Sequence, residues 1–103
     1  MVKHNKLVRD RIPDIIRADG KKCTVRVLKH SEMLNALSKK LREEVDEYLD
    51  AHDPEELADI LEIIYATAQC AGLTKAELEQ MREAKAAKNG GFRDRLYLIE
   101  VEG

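Results

Sequence analysis

The acids Glu43, Glu44, Asp46 and Glu47 stand within five consecutive positions, and Glu56 and Asp59 follow after a short gap. Acid runs on helices are most often solvated faces. Helical geometry argues for more here. At about 100° per residue, Leu34, Leu37, Leu41, Val45, Tyr48 and Leu49 form one apolar arc, with Glu44 at its edge and Glu47 a step further out. Glu43 points roughly opposite the centre of that arc. On the following helix the apolar arc is Leu57, Ile60, Leu61, Ile64 and Ala71, and Glu56 and then Asp59 step off one flank. If the two helices pair antiparallel across an apex near residues 51 and 52, Glu44 matches Asp59 in height and Glu47 matches Glu56. The two levels lie about 11 and 6 Å from the turn. Four carboxylates brought together at the edge of an apolar seam repel one another unless something neutralises them.

A hard divalent cation is the natural neutraliser. Magnesium, or alternatively manganese, takes oxygen ligands and keeps several waters, so an i,i+3 acid pair on each of two helices suits it. Zinc fits less well because no His or Cys joins the set, and His52 at the turn reads as a solvated loop residue. A bundle-type di-iron site would need a Glu-x-x-His pattern that the chain lacks. Further on, Arg82, Lys85 and Lys88 recur every three residues as a basic stripe, which Glu79 and Glu83 would equally balance as a solvated face. An acid cluster that binds metal, together with a basic stripe, permits phosphate-ester chemistry. The cations neutralise polyphosphate while an activated water attacks phosphorus.

Positioning these residues requires a mainly α fold, a small helical bundle built on an antiparallel hairpin. Pro13 to Ala18 reads as a short helix that opens on proline and stops at Gly20. Ser31 is placed to cap a long helix running to about Asp50. His52-Asp53-Pro54 breaks it, with Asp53 capping the next helix and Pro54 in its first turn; that helix ends at Gly72. Thr74-Lys75-Ala76-Glu77 is a capping box for a third long helix reaching about Lys88, and Asn89-Gly90-Gly91 ends it. Thr24 to Leu28 and Arg95 to Val101 read as short strands, which would pair as a small two-stranded β appendage.

The 103 residues allow one domain, spanning 1–103, and no repeat or Pro/Gly-rich linker divides them. Hydrophobic residues at 44% and charged residues at 37% describe a globular chain, and 4% aromatics without Trp leave the core to Leu, Ile, Val and Ala. A net charge of −2 argues against nucleic-acid or anionic-membrane partners, so Lys21 and Lys22 are not read as a nucleic-acid patch. The longest charge-free run, Ile63 to Thr74, is about a dozen residues, short of the ~20 that cross a bilayer. No signal-peptide stretch opens the sequence, and Cys23 and Cys70 have no metal-ligand spacing, so the expectation is a cytoplasmic protein with reduced thiols. Ile63, Tyr65 and Ala66 fall outside the apolar arc of their helix, making it apolar nearly all round and pointing to burial against a partner subunit.

At the acid residues the chain resembles the MazG-like all-α nucleoside triphosphate pyrophosphohydrolases. Their EExxE…ExxD pattern matches Glu43, Glu44 and Glu47, then Glu56 and Asp59. The opening Lys6-Leu7-Val8-Arg9-Asp10-Arg11-Ile12-Pro13 and the late Gly90-Gly91-Phe92 are similar to one house-cleaning branch of that superfamily. The resemblance implies hydrolysis of a nucleoside triphosphate to monophosphate and pyrophosphate. It makes Glu44, Glu47, Glu56 and Asp59 magnesium ligands and Glu43 the group that activates water. Lys6, Arg9, Arg82, Lys85 and Lys88 become candidate phosphate contacts, and a homodimer or homotetramer is implied. The gap between the two acid motifs is shorter than many members have. Alternatives are phosphoribosyl-ATP pyrophosphohydrolysis, or a non-catalytic helical module that docks a partner on its apolar second helix.

Overall fold

A computed structural model describes residues 2–103. Four helices follow in order: α1 (Ile12–Ala18), α2 (His30–Ala51), α3 (Pro54–Cys70) and α4 (Lys75–Asn89). The body is therefore all-helical among the described residues. None of these helices is long and apolar enough to cross a membrane.

The α2–α3 hairpin is the centre of the molecule, and its apex is built from local chemistry. His52 closes α2 in the left-handed region (φ 55°), its N–H donating to the Tyr48 carbonyl at 2.7 Å and its ring lying 5.3 Å from the Tyr48 ring. Asp53 then caps α3 by accepting from the Glu55 N–H at 3.0 Å, with Pro54 in the first turn, where its missing N–H costs nothing. Only His52 and Asp53 separate the helices, so α2 and α3 must run antiparallel as neighbours. At the other end of α3, Gly72 takes φ 83° and lets the Leu73 N–H reach back to the Ala68 carbonyl at 2.9 Å, a Schellman closure. Thr74 and Glu77 exchange hydrogen bonds at the start of α4, as the capping box requires.

Two expectations are corrected. Ser31 is not the cap of α2: the helix begins at His30, and Glu32 reaches back to accept the Lys29 N–H at 2.9 Å while pairing with Arg26. No strand forms among the described residues, so the β appendage of Thr24–Leu28 and Arg95–Val101 is absent. β-branched composition only suits a pleated, half-buried surface; without a ladder partner it cannot make a strand. Residues 24–28 are instead drawn to α2 by the paired hydrogen bonds between Arg26 and Glu32. Residues 96–101 carry no regular structure, with Leu96, Tyr97, Leu98, Ile99 and Val101 exposed.

The core within one chain is thin. Leu37 (2% exposed), Ile63 and Ala68 are its buried apolar residues. Ile63, placed by the helical wheel outside the apolar arc of α3, is buried within the single chain instead. The working face of α3 is Glu56, Ile60, Ile63, Thr67 and Cys70, spaced 4-3-4-3, and that of α2 is Met33, Leu37, Lys40 and Glu44, spaced 4-3-4. Leu34, Val45 and Leu49 on α2, and Leu57, Leu61 and Ile64 on α3, are left substantially exposed. The molecule is elongated at 62 × 32 × 23 Å, with a radius of gyration of 18.3 Å. A compact chain of this length has about 13 Å.

Candidate metal centre

The 4-3-4 spacing explains why an acid enters the seam. Glu44 stands seven residues after Leu37 and so occupies the same face of α2 two turns on. It is 9% exposed, the one buried charged side chain among the described residues. From α3, Glu56 and Asp59 meet it, both half-buried, and each of the three offers a carboxylate oxygen within 4.8 Å of the other two. Height matching across the apex therefore delivers three of the four acids to one place. Glu47 stays on the exposed edge, near enough to repel both Glu44 and Glu56. Glu43 is half-buried and stands apart from the trio.

Two cations enter the cluster from different directions. Lys40, one turn before Glu44 on α2, brings its ammonium to 3.8 Å from Glu44 Oε1. Arg9 arrives from the segment before α1, and its guanidinium donates to Asp59 Oδ1 at 2.6 Å. Sequence reasoning placed Arg9 among phosphate contacts without its carboxylate partner. It missed Lys40, although the i,i+4 relation to Glu44 was a readable signal. With Lys40 and Arg9 as its cations, the ion-free set of Glu44, Glu47, Glu56 and Asp59 keeps more negative than positive groups. The remaining candidate cations do not join the cluster by any hydrogen bond or ion pair among the described residues. Lys6, Lys85 and Lys88 are exposed, and Arg82 is engaged by Glu79 on its own helix.

The donor set fits a hard cation. Glu44 Oε2 and Glu56 Oε2 are both withdrawn from water and lack any hydrogen-bond partner, a costly state for a carboxylate oxygen unless it is protonated or coordinated. All the ligand atoms are carboxylate oxygens, from residues fixed on two packed helices. The cluster can hold a metal ion through Glu44, Glu56 and Asp59.

Its electrostatics give a pH signature. Withdrawal from water, then the hydrogen bond that the protonated Glu56 carboxyl donates to Glu44 and the charges of Glu47 and Glu44, push Glu56 from 4.5 up to about 7. Withdrawal from water, followed by the charge of Glu47, also raises Glu44. A carboxyl raised on folding means that the folded chain keeps protons the unfolded chain has shed. Ion-free stability therefore falls as pH rises from about 4.5 to about 7. A divalent ion competes with those same protons, so its apparent affinity rises across this window. Melting curves from pH 4.5 to 8, with chelator and with magnesium chloride as the probe, should be close at the acid end and diverge above about pH 6. Curves that run parallel across the whole range would contradict this account.

No known family profile matches the chain, and no solved structure matches it. An uncharacterized protein of Mycolicibacterium smegmatis (strain ATCC 700084 / mc(2)155) is 54% identical over 41 residues, which make up 40% of this chain and 42% of that protein. The chain thus spans less than half the length of the relative it matches.

Proposed function

We propose that this chain is a magnesium-dependent nucleoside triphosphate pyrophosphohydrolase that acts on noncanonical nucleotides in a house-cleaning role. The single observation behind this reading is the gathering of Glu44, Glu56 and Asp59 from two helices, with two of their oxygens buried and unpartnered. The resemblance of the EExxE…ExxD pattern to the MazG-like enzymes supplies the reaction. Glu44, Glu56 and Asp59 hold the ion, and Glu47 at the exposed edge completes the ligand set. When bound, magnesium neutralises the polyphosphate oxygens and polarises the phosphorus under attack.

The chain's own residues do the rest. Glu43, half-buried on α2, takes a proton from the attacking water. Water adds across the α–β anhydride: one oxygen–phosphorus bond forms, the bridging bond breaks, and pyrophosphate leaves from the monophosphate. Among the described residues Lys6, Lys85 and Lys88 make no ion pair and are available to anionic substrate, whereas Arg82 must first leave Glu79. The exposed stripes Leu34–Val45–Leu49 and Leu57–Leu61–Ile64 support assembly as a homodimer or homotetramer, since one copy alone leaves both helices apolar and bare on that side.

The test is to incubate the protein with magnesium and a panel of canonical and modified nucleoside triphosphates together with phosphoribosyl-ATP, and to identify the products. Monophosphate plus pyrophosphate is the expected result, and the panel ranking names the substrate. Diphosphate plus orthophosphate would replace this reaction with another phosphatase chemistry. No product, in a protein that magnesium does not stabilise, would leave a helical docking module as the reading.

A further inference from the structure

We infer that Arg9 is the resident counter-cation of the ion-free acid cluster and is exchanged for the divalent ion when the cluster loads, so that the segment before α1 senses occupancy of the site. The inference rests on the metal reading above. Arg9 reaches across 50 residues of sequence to Asp59, with Nη2 at 2.6 Å from Oδ1. Among the described residues this is the one hydrogen bond or ion pair between residues 2–11 and the hairpin. Leu7 and Val8 are half-buried beside it, while Val2, Lys3, His4, Asn5 and Lys6 are exposed. One guanidinium therefore pins the segment in register.

Asp59 belongs to the carboxylate trio, so the guanidinium and the metal ion ask for the same carboxylate. Two cations a few ångströms apart repel strongly where water is sparse. The weaker contact yields. Arg9 and Asp59 are 55% and 40% exposed, and a pair so open to solvent is easily released. The ion carries twice the charge and draws on three carboxylates at once. Lys40 behaves differently, because its side chain is 20% exposed and its partner lies one turn away on the same helix, so it stays. Once released, Arg9 remains tethered beside the site, placed for the anion that accompanies the ion. Arg9 is then a positioning residue for a polyphosphate, made available only after the metal has bound.

The experiment titrates magnesium chloride into metal-stripped wild type, Arg9→Gln and Arg9→Lys by calorimetry, and follows amide hydrogen exchange over residues 5–10. Removing the competing cation should tighten magnesium binding by about two- to five-fold in Arg9→Gln, while its ion-free form melts lower. Arg9→Lys keeps the charge and should stay near wild type. In wild type, magnesium should speed exchange over residues 5–10, a readout that needs no variant and that a purely structural contact would not move. Unchanged or weaker magnesium binding in Arg9→Gln, or slower exchange in magnesium-loaded wild type, overturns the exchange while the metal site stands. If wild type binds no magnesium at all, the metal reading fails first and the exchange falls with it.

Discussion

Glu44→Gln should abolish turnover and ion binding together while leaving the hairpin folded and, without metal, firmer. Glu44 is the buried member of the trio, and its Oε2 has no donor. The amide keeps the shape of the side chain but removes the charge that a cation needs. Loss of a partner behind a metal ligand already costs about 10–100-fold in affinity or activity, so loss of the ligand itself should exceed that. Stability should move the other way. The carboxylate at position 44 raises Glu56 and is itself raised by burial and by Glu47, so neutralising it relieves repulsion in the seam. The ion-free variant should melt above ion-free wild type, and added magnesium should no longer shift it. Product formation at wild-type rates, or a magnesium shift that survives, would sink the assignment. Asp59→Asn should lose turnover similarly, but it also unpairs Arg9.

Leu61→Glu should disperse the proposed oligomer. Among the described residues of one chain the buried apolar ones are Leu37, Ile63 and Ala68, a thin core to set against the conformational entropy of folding. Leu61 sits in the middle of the bare stripe with Leu57 and Ile64, and Leu34, Val45 and Leu49 of α2 are exposed as well. If a second copy covers that face, a carboxylate there must be buried without a partner, at about 3–5 kcal/mol per site. At about 1.4 kcal/mol per factor of ten, that weakens association by at least a hundredfold. Sedimentation should then move from a dimer or tetramer to the 11.7 kDa monomer, and thermal stability should fall with it. A wild-type chain that sediments as a monomer, or a variant that assembles unchanged, would refute the oligomer. The mutation lies away from the acids, so magnesium binding in any folded fraction should persist.

Helix punctuation was local and therefore legible. Asp53-Pro54 and Thr74…Glu77 cap as their chemistry dictates, because a cap needs only groups two or three residues apart. Gly72 closes α3 for the same reason. Ser31 misled because Glu32, one residue further, reaches back to Lys29 with an ionised oxygen. The strands misled because a strand is completed by a partner, and composition does not say whether one will be there.

The sequence by itself determined the helices, their antiparallel order and the equal heights of Glu44 and Asp59, since rise per residue and a two-residue break leave no other arrangement. Only the tertiary structure decided which face of each helix would meet the other. Hydrophobicity marks one arc on each helix as core, and of these arcs Leu37 is buried as expected, whereas Leu34, Val45, Leu49, Leu57, Leu61 and Ile64 stay exposed and Ile63 and Glu44 are buried in their place. A helical wheel ranks faces by apolar content, but it cannot tell an apolar face left exposed from one buried within the chain. Nor could it foresee Arg9, whose meeting with Asp59 depends on where a segment without regular structure crosses the hairpin.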